Sequence, residues 1–306
     1  MGNGRLQRRI KILGIPMDLG QNRRGVDMGP SSIRYARLQS ALEELGHHVS
    51  DVGNIRVPIP EVVEPEDGQR QDIPHLKTIP EVSKRVAATA RDIAADGAFP
   101  IFLGGDHSVS LGTVSGMATI GRTGVLWVDA HADFNTPETS LSGNIHGMPL
   151  AVLCGLGHPE LLGVGGGGAS VHPEDVVLIG LRRVDPEEQR LVAEAGVQTY
   201  TMKEVDAHGV ASVVGRVLDD LSHLRRVHLS FDLDVVDPEI APGVGTPVRG
   251  GLTYREAHLL MELLGEAAAI TSLDVVEVNP ILDEKNKTAK LAVELVASLL
   301  GRRILD

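Results

Sequence analysis

The stretch "VLWVDAHADFN" at 125–135 begins like a buried strand and then places Asp129, His131 and Asp133 at every second position. Side chains at that spacing leave one side of an extended chain, so two carboxylates and an imidazole gather at the end of a core strand. A buried carboxylate without a partner costs several kcal/mol, so a compensating charge must lie close by.

Three further stretches share this character. "FLGGDHS" sets Asp106 and His107 just past an apolar run, "LSFDLDVVDP" sets Asp232 and Asp234 at the end of another, and "VVEVNP" ends a third on Glu277. Singly, each has a bland reading: loop carboxylates usually cap helices or face water, and Asp106 with His107 suits a helix start. Together, Asp129, Asp133, Asp232 and Asp234 with His107 and His131 make a candidate ligand set whose four carboxylates two divalent cations would neutralise. Six side chains are too many for one catalytic zinc and suit two ions sharing carboxylates. Mostly hard oxygen donors, with one imidazole per ion, favour Mn²⁺ over Zn²⁺. Such a pair of cations activates water, and hydrolysis is the expected chemistry.

The following residues, "NTPETSLSGNIHGMP", are rich in short hydrogen-bonding side chains: Asn135, Ser140, Ser142 and Asn144, then His146. Alone they read as a turn. Beside a metal centre they would grip a polar, charged substrate, with His146 as a proton carrier of suitable pKa.

Positioning these residues requires strands that end along one edge. Strand candidates are 10–16, 99–105, 124–130, 175–181, 227–233 and 272–278, with a weaker one at 197–201. Most are continuously apolar, as in strands covered on both faces. Helical patterns lie between them: "SSIRYARLQSALEELG", "IPEVSKRVAATARDIAADG", "DPEEQRLVAEAG", "MKEVDAHGVASVVGRVLDDL" and "TYREAHLLMELLGEA". Several stop at glycine, as at Gly46, Gly97 and Gly196. Alternating strands and helices predict a single-domain α/β fold over residues 1–306, three layers (α/β/α) around a mainly parallel sheet. In such a sheet all carboxyl ends share one edge, where residues more than 100 positions apart can meet. Residues 56–80 read as a surface excursion, and the glycines of 162–175 as a flexible turn rather than a dinucleotide fingerprint.

The composition narrows the partners. A net charge of −12 and 3% aromatic residues argue against a nucleic-acid surface. No run approaches the ~18 apolar residues of a membrane span, so no membrane partner is expected. The N-terminal residues carry no secretory pattern, and Leu6 stands where a myristoylation signal after Met1-Gly2 needs Ser or Thr. The single cysteine, Cys154, lies among apolar neighbours and reads as core. A cytoplasmic location is expected.

These motifs resemble the ureohydrolase family, and within it the arginases. The resemblance runs through "GIPMDLGQNRRGVDMGP", "LGGDHS", "DAHADFNTPETSLSGNIHGMP", "SFDLDVVDPEIAPGVGTPVRGGLTYRE" and "EVNPILDEKNKTA", nearly the whole chain. It implies the arginase-like fold and two Mn²⁺ per subunit held by the six ligands above. It also implies attack by a metal-bridging hydroxide on the guanidinium carbon of L-arginine, giving L-ornithine and urea. By the same resemblance His146 serves the leaving amine as shuttle or acid. Glu277 orients the guanidinium beside Thr246, and Asp133 belongs to the catalytic group as well as to the ligands. Asn135, Ser140, Ser142 and Asn144 would meet the substrate carboxylate, and Asp185 with Glu188 the α-amino group. Arg183 departs from the family pattern, which is acidic or small there. Trimers or hexamers are implied. A related guanidino-compound ureohydrolase such as agmatinase is the alternative, but it needs no carboxylate-binding loop. A dinuclear phosphoesterase would not place Glu277 at its site, and a metal-stabilised protein without activity would not keep His146 and Glu277.

Overall fold

The computed structural model describes residues 7–59, 61, 73–303 and 305. Within it, eight short segments form strands, most of them runs of Val, Ile, Leu and Phe too short for a helix and closed by Gly, Asp or Pro. These are β1 (Arg9–Ile15), β2 (His48–Asn54), β3 (Phe99–Gly104), β4 (Gly124–Val128), β5 (Val176–Leu181), β6 (Gln198–Thr201), β7 (Val227–Asp232) and β8 (Ile270–Val276). They make one sheet in the order β2-β1-β3-β8-β7-β4-β5-β6, every pairing parallel.

Both faces of the sheet are covered, which explains the continuously apolar strands. Leu126 and Val128 of β4 pack with helices Val210–Asp220, Tyr254–Glu266 and Lys287–Leu299 on one side. Val125 and Trp127, offset by one residue, pack on the opposite side with Val114 of helix Ser110–Ala118 and Leu150 of helix Pro149–Leu153. The expected three-layer α/β/α arrangement follows.

The sequence reading and the structure differ at several elements. β2 was not anticipated: "HVSDVGN" is polar and almost wholly exposed, because it lies at the sheet edge and pairs only with β1. The helix expected after Pro30 is two helices, Gly29–Tyr35 and Leu38–Glu44, broken at Arg37, whose φ is 70°. The pattern beginning at Met202 likewise divides at Gly209 (φ 77°) into Met202–His208 and Val210–Asp220. Helices Ser110–Ala118 and Lys287–Leu299 are further additions; in the first, every residue from Ser110 to Met117 is buried, leaving no polar face to reveal the period. Of the excursion expected at 56–80, residues 60 and 62–72 lie outside the described residues, as do Met1, Gly2 and Leu6.

The site depends on four adjacent strands. β3, β8, β7 and β4 stand side by side, and past their carboxyl ends come His107, Glu277, Asp234 and Asp129. Gly105 ties two of them together: its N–H donates to Ile15 O at 2.9 Å, and its carbonyl accepts from Glu277 N at 2.8 Å. A Cβ there would lie 1.8 Å from the Met17 carbonyl oxygen, a backbone atom that cannot rotate away. Gly105→Ala is therefore expected to destabilise the fold by roughly 1–3 kcal/mol or more, read as a lower urea midpoint. An unchanged midpoint would mean that the two backbones have room to part.

Candidate metal centre

Each ligand candidate comes from a strand end whose local sequence turns the chain sharply. β4 stops at Val128, and Asp129 folds back to accept the His131 N–H on Oδ1 at 2.7 Å. Asp232 does the same for Asp234 N–H at 2.7 Å. Asp106 caps the short turn His107–Val109 through Ser108 N–H, confirming its reading as a cap and leaving His107 to face inward. Asp133 and Glu277 have left-handed backbones, φ 49° and 63°. A non-glycine residue in that region costs on the order of 1–2 kcal/mol. It is held there by the Leu150 N–H on the Asp133 carbonyl and by the Glu277 N–H on Gly105.

The side chains converge in two groups. His107 Nδ1 lies 3.1, 3.0 and 3.2 Å from Oδ2 of Asp129, Asp133 and Asp232. His131 Nδ1 lies 3.5 Å from Asp129 Oδ1 and 3.0 Å from Asp234 Oδ2. Asp129 thus turns one oxygen to each group. All four carboxylates are buried, and their ion-pair partners among the described residues are all histidines.

Two observations test whether these residues fit a cation. His107 Nδ1 is buried among three carboxylate oxygens yet makes no hydrogen bond. Burial first, and then the charge of Asp129, push the Asp133 carboxyl up to about 6. Burial and like charges raise Asp232 and Asp234 in the same way. Burial opposes ionisation of Asp129 as well, but the imidazoles of His107 and His131 beside it outweigh this and hold its carboxyl below the usual range. Added positive charge is what this pocket stabilises, and its donors (imidazole nitrogen and carboxylate oxygen at mutual reach) are those of a metal centre.

Above the cluster lies a cleft of about 360 Å³, within the usual range of small-molecule sites. Of the residues singled out in the sequence, His107 and Asp129 lie beneath its floor. The others all line it: His131, Asp133, Asn135, Ser140, Ser142, Asn144, His146, Asp185, Glu188, Asp232, Asp234, Thr246 and Glu277. Exposed Arg183 lines it too.

Several of these side chains also hold structure. Ser140 and Ser142 accept the N–H groups of Gly143 (3.0 Å) and Asn144 (3.2 Å), so these residues form a turn that also lines the cleft. Glu188 is buried and spends its oxygens on the N–H groups of Phe134 (2.8 Å) and Asp185 (3.1 Å), joining helix Pro186–Ala195 to the Asp133 turn. Thr246 donates to Asp234 Oδ2 at 3.0 Å rather than standing beside Glu277 alone.

Glu277 and His146, read from sequence as separate parts, are joined. Glu277 Oε1 takes His146 Nδ1 at 3.0 Å and the His107 N–H at 2.9 Å, while Oε2 accepts from Gln21 Nε2 at 2.9 Å. Burial lowers the affinity of His146 for its proton, but Glu277 more than reverses this and the imidazole rises to about 9.

Sequence reasoning missed Gln21, the Trp127 indole N–H that donates to Asp129 Oδ2 at 3.0 Å, and a buried polar row of His228, Ser230, Ser272 and Asp274. The row had a signal: His228, Ser230, Asp232 and Asp234 alternate through "VHLSFDLD" at strand period.

Comparison with known proteins gives a consistent result. A profile described as the Arginase family matches residues 8–301. The arginase of Bacillus caldovelox is 51% identical over 298 residues, 97% of this chain and 99% of that protein. Its crystal structure superposes with a TM-score of 0.94 at 50% identity, covering 98% and 100% of the two chains. The arginase of Bacillus subtilis is 49% identical over 301 residues, 98% of this chain and all of that protein. An Entamoeba histolytica arginase solved in complex with L-ornithine is 31% identical, with a TM-score of 0.88 over 97% of this chain and 99% of that one.

The His146–Glu277 pair gives a prediction with a definite sign. Replacing the carboxylate with an amide removes what raises His146 and leaves burial, which lowers it. In Glu277→Gln the His146 titration, followed by NMR on the metal-free protein, is expected to fall from about 9 to near or below an ordinary histidine. A titration that stays put would assign the shift to another neighbour.

Proposed function

Since this chain belongs to the arginase family, a family of hydrolases, we propose that it cleaves L-arginine to L-ornithine and urea at a centre of two Mn²⁺ ions. The observation that carries the reading is Asp129, whose two oxygens face two separate histidine–carboxylate groups, as a carboxylate shared by two ions must. His107, Asp129, Asp133 and Asp232 would hold one ion, and Asp129, His131, Asp232 and Asp234 the other. Carboxylate oxygens with one imidazole apiece favour Mn²⁺. When bound, the two ions supply Lewis acidity that makes water a nucleophile near neutral pH.

The remaining work falls to the protein. A guanidinium is planar, cationic and resonance-stabilised, so it must be held still and its departing nitrogen protonated. Glu277, ionised and clamped by Gln21 and the His107 N–H, offers its charge to the guanidinium at the cleft floor. Raised to about 9, His146 carries its proton at neutral pH, and with Nδ1 bonded to Glu277 it presents Nε2 to the leaving amine. Thr246 steadies Asp234 beside it. At the mouth, the hydroxyl protons of Ser140 and Ser142 and the amides of Asn135 and Asn144 would receive the α-carboxylate, and Asp185 the α-ammonium. Glu188, bound to two backbone N–H groups, serves by setting the Asp185 and Asp133 backbones. That loop favours arginine over agmatine, which has no carboxylate.

With this reading go one catalytic domain over residues 1–306, assembly as a homo-oligomer (trimer or hexamer) and work in the cytoplasm. Among the described residues no helix is long and apolar enough to cross a membrane.

Protein loaded with Mn²⁺ is expected to release urea and ornithine from arginine; failure to do so with both ions retained would overturn the proposal. Asp129→Ala should lose both ions, measured by metal analysis after dialysis, and with them all turnover. Ser142→Ala should raise KM for arginine several-fold while leaving agmatine turnover unaltered; equal losses on both would mean that the loop does not read the carboxylate.

A further inference from the structure

Beneath the cluster, the face of β7 and β8 that helix Ser110–Ala118 covers is polar where a core should be apolar. His228 and Ser230 of β7 stand opposite Ser272 and Asp274 of β8, and all four are fully buried. A buried carboxylate such as Asp274 is costly, and it is neither a ligand candidate nor a lining residue of the cleft.

The hydrogen bonds around it run in one direction only. Asp274 Oδ2 accepts the hydroxyl protons of Ser110 at 2.7 Å and Thr113 at 2.8 Å. A serine has one proton. Ser110 has spent its own on the carboxylate, so across the 3.2 Å contact between Ser110 Oγ and Ser230 Oγ it can only accept. The Ser230 proton therefore points to Ser110, or to Asp274 Oδ2 at 3.4 Å. Either way it points away from His107. At the 2.9 Å contact between Ser230 Oγ and His107 Nε2, the serine can only accept, and the proton must sit on Nε2.

We infer that Asp274, acting through Ser110 and Ser230, fixes the His107 ring so that Nδ1 is the nitrogen left free to bind a cation. The assignment matches the geometry at the far side of the ring, where Nδ1 faces three carboxylate oxygens without a hydrogen bond and the ring stacks on Trp127 at 4.0 Å. Burial works to raise the Asp274 carboxyl, but His228, with Nε2 at 3.1 Å, and the two hydroxyls hold it below its ordinary value, as an acceptor-only role requires. Asp274 is thus a positioning residue, three hydrogen bonds removed from the ring it serves. The inference rests on reading the site as a metal centre.

Asp274→Asn tests it with little change of shape. An amide oxygen turned to the hydroxyls would bury its NH₂, unpaired, in the place of Oδ1, which has no partner, so the NH₂ turns to the hydroxyls instead. With the NH₂ facing them, the hydroxyl protons turn back toward Ser230 and His107, and the wrong nitrogen is protonated. Mn²⁺ binding to the metal-free protein, followed by electron paramagnetic resonance of the free ion, should show roughly 10- to 100-fold weaker binding of one ion, with the other little changed. Ser230→Ala should reproduce the loss and Ser230→Thr, which keeps a hydroxyl, should restore tight binding; this pair decides the matter if Asp274→Asn does not fold. Ser272→Ala touches His228 but not the relay, and should bind both ions as the unaltered protein does. Unaltered binding of both ions by Asp274→Asn or Ser230→Ala would overturn the inference. Failure of the unaltered protein itself to bind Mn²⁺ would instead overturn the metal-centre reading on which it rests.

Discussion

Four carboxylates, Asp129, Asp133, Asp232 and Asp234, are buried within reach of two imidazoles at the ends of neighbouring strands. Like charges at this separation in a desolvated pocket repel strongly, which is why three of the four carboxyls are raised and the fourth is held down only by its histidines. The rest of the molecule serves to hold these groups where they would not sit unaided. Folding must bring together charges that in water would stay apart, and the sheet supplies the apolar burial that offsets this.

The restraints can be identified. Gly105 lets the strand after β3 lie against the Met17 backbone and receive the Glu277 N–H. Two carboxylates, Asp133 and Glu277, stand on left-handed backbone, where strain is tolerated because a main-chain hydrogen bond fixes each turn, at the Asp133 carbonyl and at the Glu277 N–H. Arg182 donates to the carbonyls of Asp234, Val235 and Val248, with distances of 2.6, 3.0 and 2.7 Å, pinning the loop that carries Thr246. Glu188 does similar work for the Phe134 backbone. Charge at the strand ends is thus supported by polar groups further in, and the core beneath the site is partly built from serine, threonine, histidine and aspartate.

The pairing of Glu277 with His146 couples two tasks that a list of residues keeps apart. The carboxylate that keeps the imidazole protonated at neutral pH is, on the proposed reading, also the one that would attract a guanidinium. Electrostatic recognition of a cation and readiness to deliver a proton would then come from the same interaction, without a further acidic group.

Much of this was legible in the residues themselves. The apolar runs determined strands buried on both faces, their alternation with amphipathic helices determined a parallel sheet, and the parallel sheet determined that Asp129, Asp232, Glu277 and His107 would share one edge. The chemistry followed, because carboxylates in such numbers at such a place require cations. Elements without a periodic apolar signal were not legible: β2, whose polar residues tolerate a sheet edge, and helix Ser110–Ala118, buried nearly all round. The tertiary structure alone decided which oxygen of Asp129 faces which histidine, that His146 leans on Glu277, and that Asp274 reaches His107 through Ser230. Periodicity fixes the side of a strand from which a residue projects; the direction of a hydrogen bond depends on the partner, and here the partners lie from 44 to 164 residues apart.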